Sequence, residues 1–157
     1  MYLLLLAGAK QHGKTLCIGP RNEGEILLLY QHGFKDVVGI DLFTYSPHIF
    51  IMDTHHMTFA DNTFDTINCG WVFAYVYDLP RAIREIVRVS KHGALIACSY
   101  TVPQATDHAP GEGTNMSVHS VAKILELFAP HVDHVYWRDD SAHTPRSKHH
   151  LVFRIRK

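Results

Sequence analysis

Cysteine is scarce in this chain. There are three, Cys17, Cys69 and Cys98, among 157 residues, and no two form a C-x-x-C pair. That argues against a disulfide framework and against a cysteine-rich zinc module. Each lies inside an apolar run, which predicts reduced, buried thiols and a cytoplasmic protein. Excess charge of either sign is also missing. Fifteen lysines and arginines balance fifteen aspartates and glutamates. No net field draws the chain to nucleic acid or anionic lipid, so neither partner is expected. Long apolar runs are absent as well. MYLLLLAGAK at the start is too short to span a bilayer and has no basic residues before it. It is expected to be a piece of helix packed on the rest of the molecule. There are no internal repeats and no dividing linker, which predicts one domain over 1–157. Only histidine is abundant, at 13 residues. Most are expected at the surface, where they charge below about pH 6.5.

What is present begins with the stretch TLCIGPRNEGEILLLYQHGFKDVVGID, from Thr15 to Asp41. It reads as a strand (Thr15–Ile18), a turn at Gly19, a helix (Gly24–His32) and a second strand (Val37–Ile40) ending on Asp41. This is one βαβ unit. An acid about 20 residues beyond the glycine turn can accept hydrogen bonds from the two hydroxyls of a ribose. A competing pattern overlaps it. Gly8, Gly13, Lys14 and Thr15 fit G-x-x-x-x-G-K-[ST], a triphosphate-binding loop. That loop requires a helix starting at the Lys-Thr pair. Gly19-Pro20 would end such a helix within a turn, and Thr15–Ile18 reads better as a strand.

Further along, Ile49–Met52 is a short strand ending on Asp53, and Phe64–Cys69 is another. Asp78–Ser90 has helical periodicity, with Ile83, Ile86 and Val87 inward, Asp78 as cap and Pro80 in the first turn. Lys91-His92-Gly93 is expected to end it, before a strand over Ala94–Tyr100. Ser117 or Asn115 would cap a helix over Val118–Phe128. Strands over Val132–Trp137 and His149–Ile155 close the chain as a hairpin-like pair. The alternation predicts an α/β fold with a mainly parallel sheet and one antiparallel strand at the end. His55-His56 and His149-His150 have the look of metal ligands, as do Asp133, His134, Asp139, Asp140 and His143 near the tail. Adjacent residues of an extended segment point to opposite sides, however, and no metal site is expected.

The stretch Met52–Gly93, MDTHHMTFADNTFDTINCGWVFAYVYDLPRAIREIVRVSKHG, carries a family likeness. It has an acid, a short turn with an aromatic, D-x-x-F-D before the fourth strand, and a helix reading A-x-x-E-x-x-R-V-x-K-x-G. Asp53, Phe59, Asp61, Phe64, Asp65, Ala82, Glu85, Arg88, Val89, Lys91 and Gly93 fall in place. With Ile18, Gly19 and Asp41, the chain resembles the class I S-adenosylmethionine-dependent methyltransferases over residues 14–100. The resemblance implies a three-layer Rossmann-like fold with seven strands in the order 3-2-1-4-5-7-6, strand 7 antiparallel. It implies S-adenosylmethionine as cofactor and methyl transfer; with no appended substrate domain evident, either the acceptor is a small molecule or a partner or second subunit, as in a homo-oligomer, completes the site. The alternative is a non-catalytic binding module or regulatory subunit on the same fold.

By position, the resemblance places Gly19, Pro20, Arg21, Glu23 and Glu25 around the methionine part of the cofactor. Asp41 would hold the ribose, with Leu42 beside it. Asp53 and the Thr54 backbone would meet the adenine edge, with Met57 near the base. Cys69, Gly70 and Trp71 would line the pocket beside the sulfonium. The departures are informative. The family's acid two residues before the first glycine is Cys17 here, and its second and third glycines are Arg21 and Glu23. Glu23 or Glu25 could supply the carboxylate for the ligand's amino group, with Arg21 binding the ligand's carboxylate. Otherwise Arg21 and Glu25 form a surface ion pair, or the cradle is degraded. The Glu-His pair that follows the fourth strand in many members is Ala74-Tyr75 here. Tyr75 can orient a nucleophile but is a poor base at neutral pH. Tyr75 and Trp71 are the expected catalytic residues. Tyr45, Tyr77, His108, His143 and Arg146, on loops at the same edge, are further candidates to touch a substrate.

Overall fold

The computed structural model describes residues 2–101, 120–139 and 147–157. His108, Asn115, Ser117, Asp140, His143 and Arg146 lie outside them. Seven strands form one sheet in the order β3-β2-β1-β4-β5-β7-β6. They are β1 (Lys14–Ile18), β2 (Asp36–Asp41), β3 (Ile49–Ile51), β4 (Phe64–Gly70), β5 (Ser90–Thr101), β6 (Val132–Arg138) and β7 (Lys148–Ile155). The first five run parallel, and β7 is antiparallel to both β5 and β6. Strand order and the direction of β7 are as the sequence led one to expect. Lys14 and Thr15 lie on β1, in register with Asp36 and Val37. No helix starts at them, so the triphosphate-loop reading fails.

The central strands carry apolar residues on both faces because both faces are covered. On one face Leu16, Ile18, Ile40, Ile67 and Ile96 pack with α3 (Leu79–Val89) and α4 (Val121–Phe128). On the other, Cys17 and Leu95 pack with Leu4 of α1 (Tyr2–Leu6) and Leu29 of α2 (Gly24–Gln31). The apolar run at the start is thus a short helix fragment on the sheet. The Asp78 carboxylate accepts the Arg81 N–H at 3.1 Å and caps α3, with Pro80 in the first turn. Its buried residues include Ala82, Ile83, Ile86 and Val87, one stripe at helical spacing.

Most boundaries fall within a residue of the expected ones, and two differ by more. Lys91-His92-Gly93 is no connection between helix and strand. The chain passes directly from Val89 into β5 at Ser90, and these residues sit in a register shift between the Phe64↔Ser90 and Thr66↔Leu95 pairs. The Lys91 ammonium meets Asp65 at 2.6 Å, which draws the irregular segment back to β4. The second difference is α4, which spans Val121–Phe128; the expected start, Val118, lies outside the described residues. Its cap is Ser120, whose hydroxyl accepts the Lys123 N–H at 3.1 Å.

Candidate functional site

The carboxyl ends of β1, β2 and β4 meet at one edge of the sheet, where an open parallel sheet binds ligands. A cleft of about 240 Å³, partly open to solvent, lies there. That is a little below the sites of drug-sized molecules, about 300–1,000 Å³, and the cleft continues into solvent on its open side. Gly19 and Arg21 line it after β1, Asp41 and Leu42 after β2, Asp53 and Thr54 after β3, and Gly70, Trp71 and Tyr75 after β4. These nine expected site residues come together. Four others do not line it. Pro20 is buried behind the turn, close to Gly39 of β2. Cys69 faces the core on the α3 side. Glu23 caps α2 at the surface, where the Ser46 hydroxyl holds its carboxyl below the usual range. Glu25 lies beneath the turn. His55, Val72 and Val76 complete the wall.

Local backbone explains the shape of the turn. Gly19 has φ +77°, and a side chain there would press on Val72. Arg21 has φ +43°, in the left-handed region that favours glycine. The family's second glycine is gone from the sequence, yet Arg21 here takes a conformation that glycine adopts freely. The Arg21 N–H donates to Asp41 Oδ2 at 2.9 Å, and the Phe43 N–H donates to Asp41 Oδ1 at 3.1 Å. The two amides fix the carboxylate at the cleft, and each oxygen keeps a lone pair for a ligand. No carboxylate pairs with the Arg21 guanidinium among the described residues, so the alternative of an Arg21–Glu25 surface ion pair is not met.

Glu25 points back from the first turn of α2 toward the sheet. Its Oε2 accepts from Cys17 Sγ at 3.1 Å and from Asn68 Nδ2 at 3.2 Å. A β-carbon on Gly70 would lie 2.6 Å from Oε1, so the carboxylate occupies space that only a glycine leaves free. Burial pushes the Glu25 carboxyl up, against the Cys17 hydrogen bond. Burial likewise raises the Cys17 thiol well above its usual value, with the Glu25 charge adding to it. The strand has lost its acid at position 17, and a carboxylate from the helix lies against that same position.

At the far end of the cleft, Asp53 Oδ1 accepts from the His55 amide at 2.8 Å and from His55 Nδ1 at 2.6 Å. The Tyr77 hydroxyl donates to Oδ2 at 3.0 Å. Burial raises the Asp53 carboxyl, but these hydrogen bonds outweigh it and hold it below the usual range. His55 Nε2 accepts the Asp78 N–H, so Nδ1 is the nitrogen that carries hydrogen. Tyr77 stacks on the His55 ring at 3.7 Å between centroids. His55 is buried and His56 exposed; they lie on a turn rather than the expected extended segment, the His56 N–H donating to the Asp53 carbonyl at 3.0 Å. No group of three or more His, Cys, Asp or Glu side chains could hold a metal ion among the described residues. His55 was missed as a wall residue. Its signal was the Asp-x-His spacing, which lets the aspartate turn back on the amide two residues on.

Trp71 follows β4 with φ +56°, a conformation that is costly for a large aromatic. Its backbone N–H donates to Ser99 O, and its indole N–H donates to Thr101 Oγ1, both at 2.9 Å. Tyr75 is 65% exposed at the cleft wall, on a short 3₁₀ turn over Val72–Tyr75.

Comparison with known proteins places this architecture. A sequence profile of the methyltransferase domain matches residues 16–98. The chain is 35% identical over 74 residues to a demethylmenaquinone methyltransferase of Thermobifida fusca, covering 45% of this chain and 31% of that protein. The matches span less than a third of the length of the curated relatives. In fold it is similar to S-adenosylmethionine-dependent methyltransferases from Methanosarcina mazei (TM-score 0.71, 14% identity, 99% of this chain and 98% of that one) and Aquifex aeolicus (TM-score 0.68, 14% identity, 98% and 88%). The profile match covers more than half of the chain and takes in the first strand, both acid-tipped strands and the fourth and fifth strands. This chain therefore belongs to the methyltransferase domain family, the class I S-adenosylmethionine-dependent methyltransferases.

Proposed function

We propose that this chain binds S-adenosylmethionine in the cleft and transfers its methyl group to a small-molecule acceptor. The observation that carries this reading is Asp41. Two backbone amides fix its carboxylate at the tip of β2, facing the cleft beside the Gly19 turn. The residues fit the cofactor. Asp41 would accept from a ribose diol. Arg21, without a carboxylate partner among the described residues, would take the carboxylate of an amino-acid tail. Glu25, under Gly70, would supply negative charge to the amino group of that tail. Asp53 and Thr54 would face the base.

When bound, S-adenosylmethionine supplies a methyl group on a cationic sulfonium, which leaves readily. The protein's task is then alignment and exclusion of water. Trp71, Val72 and Tyr75 form an apolar wall at the end of the cleft where an acceptor would approach. The curated relatives are named for methylation of demethylmenaquinone or for ubiquinone and menaquinone biosynthesis. Those names support a small-molecule acceptor.

Isothermal titration with S-adenosylmethionine and S-adenosylhomocysteine tests this reading. Asp41→Asn keeps the shape and removes the charge. It should weaken both ligands about 10- to 100-fold, the loss of a charge-assisted hydrogen bond worth roughly 1.5–3 kcal/mol. Lys14→Ala should leave both affinities unchanged. Binding that survives Asp41→Asn intact, or no binding by the unmodified protein, would overturn it.

A further inference from the structure

The position from which many relatives supply a histidine base holds Tyr75, yet a histidine reaches the same edge of the sheet by another route. β7 runs antiparallel to β5, so its amino end lies at the carboxyl ends of β1 and β4. His150 is the third residue of β7 and stands directly opposite Ser99, which in turn stands opposite Gly70. The Ser99 hydroxyl and His150 Nδ1 are 2.9 Å apart. The indole of Trp71, part of the cleft wall, meets the imidazole edge to face, 6.4 Å between centroids. Trp71 is held there by Thr101 and Ser99 in a left-handed backbone conformation, which persists only where surroundings impose it. No hydrogen-bond partner meets His150 Nε2 among the described residues.

We propose that Trp71, Ser99, Thr101 and His150 form the acceptor subsite, that it takes a hydroxylated aromatic compound, and that His150 Nε2 is the base that receives the hydroxyl proton. This rests on the methyl-transfer reading above. In the tautomer whose Nδ1–H donates to Ser99 Oγ, the lone pair of Nε2 is unblocked by the described residues and faces the acceptor. The exposed faces of Trp71 and Tyr75 suit a flat apolar body. The balance is simple. The acceptor O–H bond breaks and its proton goes to Nε2. The oxygen uses its electron pair to form the O–CH₃ bond. The sulfur–methyl bond breaks with its electrons remaining on sulfur, and the imidazolium later returns its proton to water.

Protonation is set by several groups around the ring. Burial lowers the His150 pKa, and the charges of His149 and Lys148 on β7 act in the same direction. Asp139, at the end of β6, opposes them. The imidazole is therefore in its basic form at neutral pH.

The test uses 1-naphthol as probe, with the intact chain saturated with S-adenosylhomocysteine. Saturation is first verified by titration calorimetry. Addition of 1-naphthol should shift the His150 imidazole and Trp71 indole NMR resonances in a saturable way, the former assigned by its absence in His150→Gln. Transfer from S-adenosylmethionine to 1-naphthol should then rise with pH through an imidazole-like titration. In His150→Gln it should fall about 100-fold and lose that pH dependence, the lower range of what a general base contributes. S-Adenosylhomocysteine affinity should be unchanged in the variant. If the cofactor product binds but 1-naphthol leaves His150 unmoved, or is bound and not methylated on oxygen, the subsite is wrong and the cofactor reading stands. If the cofactor product does not bind, both are overturned.

Discussion

At the scale of single residues, the turn after β1 gives the cofactor reading its most distinctive features. Arg21 holds a left-handed conformation that glycine adopts without strain. Arg21→Gly removes that strain but loosens the unfolded chain, so thermal stability should change by less than about 1 kcal/mol. Affinity for S-adenosylmethionine should nonetheless drop at least 10-fold, because the cation for its carboxylate is gone. Calorimetric melting and binding on the same variant would separate the two effects. A large loss of stability with unchanged affinity would make Arg21 a purely structural residue.

Glu25 makes the opposite trade. Burial raises its pKa in the folded chain. For a raised pKa, stability is fully present below the unfolded value and is lost as pH rises through the folded one. At pH 7 the ionised group therefore works against folding. Glu25→Gln should raise the melting temperature at pH 7 and weaken S-adenosylmethionine. An ammonium brought against Glu25 favours ionisation, so binding just above the usual carboxylate range should release protons. Calorimetry at about pH 5 in two buffers of different ionisation enthalpy measures that release. Proton uptake, or none, would count against Glu25 as the amino-group partner.

At the scale of elements, the residues that reveal the family are mostly not those that line the cleft. Glu85 and Arg88 of α3 fasten the loop between β3 and β4. The Arg88 guanidinium donates to the carbonyls of Met57 and Phe59 and to Asp61, and Glu85 accepts the Met57 N–H at 2.8 Å. Arg88 also pairs with Glu85 at 2.7 Å, and this chiefly lowers the Glu85 pKa. A lowered carboxyl contributes stability above its unfolded value and loses it as pH falls through the folded one. The fold should therefore weaken on acidification below about pH 4.5, the ordinary value for glutamate. Arg88→Met should destabilise the chain by about 2 kcal/mol, since two carbonyls and two carboxylates lose a partner. Its acid transition should also be shallower. Urea titrations at pH 7 and pH 4 measure both, and a variant as stable as the parent would remove the staple from consideration.

Legibility divides along the same line. The strands, α3 and its Asp78 cap could be read because period and capping are local. The start of β5 could not. Lys91-His92-Gly93 has the residues of a helix stop, and only the Lys91–Asp65 pair shows that they belong to an irregular strand. Ser120 was passed over as a cap because Ser117 and Asn115 offered the same chemistry a few residues earlier. Likewise, Asp41 and Asp53 could be read from their places at strand tips. The Glu25 contact with Cys17 and Asn68, and the Ser99–His150 pair, depend on strand pairing and helix placement that no local spacing encodes.

At the scale of the whole molecule, one sheet edge gathers what the chemistry needs. Parallel β1, β2 and β4 end there, and antiparallel β7 begins there, so acids, a cation, an aromatic wall and a histidine meet at one rim. The most direct measurement is a crystal structure of this chain with S-adenosylhomocysteine bound. The expected result is a ribose diol on the Asp41 carboxylate, the amino-acid tail between Arg21 and Glu25, and the sulfur facing Trp71. A ligand bound elsewhere, or one in this cleft that leaves Asp41 and Arg21 without contact, would contradict it.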